Sequence, residues 1–107
     1  MATLTTRDKR LGLHLPVEVS GSDAGGRGFT EQTRSVNVSG GGICFESRHV
    51  LPIGTRVAVG IALPPPLRPH FGDRLVYRAR CVVCRVERSD GTTPVKVSAR
   101  FLGELPG

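Results

Sequence analysis

The chain has 107 residues, enough for one small domain with a modest core and too few for two ordinary ones. Hydrophobic residues make up 38% and charged residues 22%, which excludes a disordered chain, while 14 glycines and 8 prolines point to a turn-dense, β-rich fold. The net charge of +6 is carried almost entirely by arginine, whose planar guanidinium suits bidentate recognition of phosphates and guanine edges, so an anionic partner is expected.

No apolar run approaches the ~20 residues that span a bilayer, and the N-terminus lacks the apolar stretch of a signal peptide, so a cytoplasmic location without a membrane partner is expected. Three cysteines without a framework spacing argue against a disulfide scaffold and read as packing residues.

Near the N-terminus Arg7, Lys9 and Arg10 cluster ahead of the first strand. They suit an anion, or form a solvated basic end. Residues 1–10 are read as a flexible arginine segment and residues 11–107 as a single domain. Leu11, Leu13, Leu15, Val17 and Val19 alternate with a period of two, the mark of a half-buried strand, with Pro16 on its other face indicating an edge or a bulge. Residues 20–28 read as a flexible loop.

A second strand over residues 29–38 places Val36 and Val38 on one face and Ser35 and Asn37 on the other. It ends in Gly40-Gly41-Gly42, after which Ile43 and Phe45 resume alternation in a third strand. Val57, Val59, Ile61 and Leu63 mark a fourth. Residues 64–69 favour an extended, polyproline-like loop, since each proline fixes φ and disfavours helix in the residue before it. Residues 74–88 are long enough to need a bend or bulge, and residues 89–92 supply a hairpin turn into Val95, Val97, Ala99 and Phe101. No amphipathic helix period persists, so the strands must bury one another's apolar faces. An all-β, six-stranded antiparallel β-barrel, which removes exposed edges, is the expected architecture.

The turn after the second strand carries the most specific signal. Asn37 donates and accepts, Ser39 does either, and glycine allows positive φ or close approach, so the turn can hold a flat polar ligand. The alternative is a plain turn whose Asn and Ser bond to their own backbone.

Asn37-x-Ser39-x-x-Gly42 resembles the Asp/Asn-x-Ser-x-x-Gly signature of PilZ domains, bacterial receptors for cyclic di-GMP, and Arg7 to Arg10 stands where that family has Arg-x-x-x-Arg. Here the spacing is Arg-x-x-Arg, with Thr6 at the first arginine position and Arg10 at the second. The resemblance extends over most of the chain and implies the same six-stranded barrel. The C-terminal helix that the family often adds is beyond the short tail of residues 102–107. It also implies that Arg7 and Arg10 grip the ligand's phosphates and guanine edges, that Asn37 and Ser39 contact a guanine, and that Gly42 permits the turn. Ligand-induced ordering of the N-terminal segment would then signal to a downstream protein partner. The ligand would be cyclic di-GMP, with no cofactor and no enzymatic activity.

Other chemistry finds little support. The glycine triplet lacks the Lys-Ser/Thr and the following helix of a nucleoside-triphosphate loop. Cys81 and Cys84 have the spacing of a zinc or redox pair, but positions three apart on a straight strand face opposite ways. His14, His49 and His70 fall in different elements, and no Ser/His/Asp arrangement has local support. Two other readings share the barrel: a PilZ-like interaction domain that does not bind the nucleotide, motivated by Thr6, and an OB-type nucleic-acid binder, motivated by charge. Against the latter, Phe29, Phe45, Phe71, Tyr77 and Phe101 are scattered along the sequence with no clustered stacking platform, so no specific nucleic-acid partner is expected.

Overall fold

The computed structural model describes residues 14–49, 51–89 and 92–105. Six strands form: β1 (Pro16–Ser22), β2 (Gly28–Val38), β3 (Gly42–Ser47), β4 (Arg56–Ala62), β5 (Val76–Ser89) and β6 (Thr92–Glu104). They close in the order β1-β2-β3-β6-β5-β4, with every neighbouring pair antiparallel and β4 returning to β1. Among the described residues closure leaves no free sheet edge, so the backbone donors and acceptors of the strands are paired with neighbouring strands.

The interior is lined by residues of all six strands, mostly at alternate positions: Val17 and Val19, Val38, Ile43 and Phe45, Val57, Val59 and Ile61, Ala79, Cys81 and Val83, then Val95, Val97 and Ala99. Leu51, Leu63 and Phe71 join the same buried cluster from outside the strands. Each fully buried Val, Leu, Ile or Phe contributes about 1.5–3 kcal/mol, so this period-two lining is what holds the barrel.

Four expectations are refined. The ladder of β1 begins at Pro16, a position that needs no N–H as the first residue of a strand; Leu15 is buried ahead of it, and Leu11 and Leu13 lie outside the described residues. Ser20, Gly21 and Ser22 belong to β1 and pair with Thr30, Phe29 and Gly28, so the expected flexible loop shrinks to a turn. Asp23 Oδ1 closes that turn by accepting from the N–H groups of Gly25 and Arg27.

The proline-rich segment is not extended throughout. Pro64 keeps the extended conformation, but Pro65–Phe71 is a 3-10 helix with Pro69 inside it, ended by Gly72 at φ 72°. Proline's fixed φ suits a first helical turn, and burial of Phe71 pins the far end against the core. The long fifth strand is irregular as expected, with register shifts against β6 at Arg80/Cys81, Val83/Arg85 and Glu87/Ser89.

The fourth refinement lies on β2. Ser35 pairs with Phe45 but Asn37 pairs with Cys44, so Val36 is an extra residue, a β-bulge. Parity reverses there. Ser35 and Val38 are both buried while Val36 is half-exposed, contrary to the face assignment expected from simple alternation.

Candidate functional site

The bulge at Val36 and the hairpin that follows it build the site. Past the bulge, Asn37 is half-exposed and Val38 returns to the core. The chain then turns through residues 39–42, where the Ser39 N–H donates to the Gly42 carbonyl at 3.0 Å. The Ser39 hydroxyl accepts from the Gly41 N–H at 3.2 Å and donates to the Gly42 carbonyl at 3.4 Å. Ser39 is thus a brace for its own turn, as such residues commonly are.

The glycine that ends the turn is required by close approach. A Cβ on Gly42 would lie 2.5 Å from the carbonyl oxygen of Ala99 on β6, and its φ is not in the left-handed region. The Gly41 carbonyl accepts from the Phe101 N–H at 3.0 Å, so β6 holds the turn from two sides. Asn37, Ser39 and Gly42 therefore come together on one braced hairpin.

Arg7 and Arg10 lie outside the described residues. The point at which their segment joins the barrel is described, and it is on β2. Leu15 N–H donates to Ser35 Oγ at 2.9 Å, Ser35 N–H donates to the Leu15 carbonyl at 2.9 Å, and His14 Nδ1 donates to the Ser35 carbonyl at 3.1 Å. Ser35 is fully buried, and it clasps the incoming chain two residues before Asn37.

Beside this clasp is a groove of about 330 Å³ lined by His14, Arg34, Ser35, Val36, Glu46 and Lys96. A larger one of about 510 Å³ continues along β2 past Gln32 and Thr30 to Arg48 and His49. On the other side of the turn, Arg100 is exposed and pairs in register with Gly42. Among the described residues neither Arg34 nor Arg100 forms an ion pair; the pairs formed there are Arg74–Glu104 and Arg85–Glu87. Sequence alternation on β6 marks Lys96 and Arg100 as outward, but the cross-strand register that sets Arg100 beside Gly42 is a long-range fact that no local signal carries.

The remaining candidates separate. Cys81 is buried and its thiol is pushed from 9.0 to about 12 by burial, whereas Cys84 is exposed on the other face of β5. Among the described residues no three His, Cys, Asp or Glu side chains gather as metal ligands. His49 stacks on Phe29 with ring centroids 4.2 Å apart. The aromatic residues are less scattered than the sequence suggests: Phe71 and Tyr77 lie 4.9 Å apart and Tyr77 and Phe101 5.4 Å. These three pack against the core, and burial together with Glu104 raises the Tyr77 hydroxyl. They are packing, not a stacking platform.

The PilZ domain model of protein families matches residues 5–106, nearly the whole chain and both halves of the suspected signature. The chain belongs to the PilZ family. No match is found among the curated proteins. Among solved structures, this PilZ barrel is similar to the Bacillus subtilis inhibitor of motility MotI/DgrA, with a TM-score of 0.66 and 19% identity over 94% of this chain and 44% of that one. It is also similar to the PilZ domain of YcgR from Escherichia coli, solved with c-di-GMP, with a TM-score of 0.60 and 20% identity over 92% of this chain and 78% of that one. At these identities the likeness is one of fold, and the chain spans less than half the length of the first. Among the described residues no helix is long and apolar enough to cross a membrane.

Proposed function

We propose that this PilZ domain is a cyclic di-GMP receptor and effector module of the cytoplasm, a switch and not an enzyme. The observation that carries the reading is the double role of β2: Ser35 fixes the root of the N-terminal segment, and the braced turn of Asn37, Ser39 and Gly42 follows directly on the same strand. Arg10 is four residues from His14, a reach of at most about 14 Å of extended chain, and a guanidinium adds more.

In this reading Arg10 and Arg7 fold over the ligand, pairing with its phosphates and with guanine O6 and N7, the bidentate geometry that arginine also uses on DNA. Asn37 presents its amide to a guanine edge, and Ser39 and Gly42 set the turn's shape. Ordering of the N-terminal segment on binding then alters what a downstream protein meets, which is ligand-driven ordering coupled to a population shift. The c-di-GMP held by the similar YcgR domain supports this choice of ligand.

Two observations favour a second reading. Thr6 stands at the first arginine position and Ser39 is engaged by its own turn, features suited to a barrel that works through protein contacts without the nucleotide. Calorimetric titration of the full chain separates the two. Saturable heat with cyclic di-GMP, with binding weakened about tenfold or more in Arg10→Ala, supports the receptor; no heat at micromolar protein rejects it.

A further inference from the structure

A second charged surface lies away from the turn, on the outside of β4 and β5. Arg78 and Arg80 are exposed on β5, and Arg56 is exposed on β4 one row beyond Arg80. None of the three forms an ion pair among the described residues. Two carboxylates on the adjoining strands are engaged: Glu104 on β6, across from Ala79, with Arg74, and Glu18 on β1, across from Gly60, with the Gln32 amide at 2.9 Å.

The strand beside these arginines is stripped of bulk. Ala58 pairs with Arg80, Gly60 with Arg78 and Ala62 with Val76, so the outward positions of β4 form a low strip flanked by guanidinium groups. Small residues are poor strand formers, and glycine inside a strand marks places where another backbone approaches closely. Of the four exposed large hydrophobic residues among the described residues, three lie near the arginines: Val76 at 44% exposure faces Ala62 across the β4–β5 pair, Leu75 at 66% precedes it in the chain, and Leu102 at 43% lies on β6, on the other side of β5. Scattered apolar residues are ordinary on a surface, but three beside one arginine cluster are a patch.

The geometry points to a docking face for an acidic, amphipathic protein partner whose carboxylates meet the arginines and whose apolar side chains meet the residues beside them. The arginines match the carboxylates, Val76 and Leu102 on either side of them match the apolar side chains, and the Ala58-Gly60-Ala62 strip lets the partner seat against the sheet. Nucleic acid fits less well, because its backbone offers phosphates but nothing for the exposed apolar margin, whereas arginine beside apolar side chains is the composition of protein interfaces. The face does not include the Asn37 turn, so it holds whether or not the nucleotide binds.

The test is an amide NMR titration of the full chain with two probes: an amphipathic helical peptide with glutamates flanking a leucine stripe, and single-stranded oligothymidylate. The peptide is expected to shift Arg56, Ala58, Arg78, Arg80 and Leu102, and Arg78→Glu with Arg80→Glu to weaken it about tenfold or more, since like charges then face each other. Leu102→Ser, which leaves the charge intact, is expected to weaken the peptide several-fold. Retained dispersion in the amide spectra confirms that each variant is folded. Absence of peptide shifts, shifts spread over all exposed arginines, indifference to Leu102→Ser, or tighter binding of oligothymidylate at the same residues would overturn the proposal.

Discussion

Gly42 sits so close to β6 that a Cβ at this position would come 2.5 Å from the carbonyl oxygen of Ala99. The signature glycine is therefore a packing requirement between β3 and β6. Gly42→Ala is expected to lower stability by about 1–3 kcal/mol, the usual cost of forcing atoms into a filled space. Gly41→Ala, where an added Cβ meets nothing within 4 Å, is the control and is expected to change stability by less than about 1 kcal/mol. Urea denaturation of both variants checks the contrast.

Ser35 joins the chain at Leu15 to β2. Ser35→Ala leaves the buried Leu15 N–H without the Ser35 hydroxyl, at an expected cost of about 1–3 kcal/mol. Amide hydrogen exchange at Leu15 is expected to accelerate in this variant beyond the rise seen at Val59 across the barrel. Equal acceleration at both sites would mean that the clasp is not a local fastening.

The cysteines differ by burial. Cys84 is exposed, while Cys44 and Cys81 are buried. A thiol reagent under native conditions is expected to modify one cysteine rapidly and the others only as the barrel opens, and Cys84→Ser removes the rapid phase.

Alkali should weaken the barrel through Cys81. The folded thiol keeps its proton to about pH 12, whereas in the unfolded chain it ionises near 9.0. Between those values the unfolded state has released a proton that the folded state holds, so stability is full below pH 9 and falls as pH rises, by up to about 1.4 kcal/mol per pH unit. Denaturation midpoints measured from pH 8 to 11 are expected to fall, and Cys81→Ala to reduce the slope.

How far the sequence speaks depends on whether a feature is local. The alternation of Val17 with Val19, and of Val57, Val59 and Ile61, made the inward face of β1 and β4 readable, and the same period put Cys81 and Cys84 on opposite faces. The Asn37, Ser39, Gly42 spacing was readable as a turn because its bracing is confined to residues 39–42. The bulge at Val36 was not, since valine is as suited to a regular ladder as to a bulge and only pairing with β3 shows the extra residue. The 3-10 helix at Pro65–Phe71 is not legible in the sequence because proline fits its turns as well as an extended loop, and burial of Phe71 decides between them. Arg100 beside Gly42 and the meeting of Phe71, Tyr77 and Phe101 are products of register and closure.

The receptor reading is tested most directly by an amide NMR titration of the full chain with cyclic di-GMP. Saturable shifts are expected at Asn37, Gly40, Gly41 and Arg100 and at the His14–Leu15 clasp, together with new protection of the Arg7 and Arg10 amides. Arg10→Ala is expected to weaken binding by about tenfold or more, the worth of a charge-assisted hydrogen bond. A spectrum unchanged by excess ligand, or shifts that bypass the Asn37 turn, would contradict it.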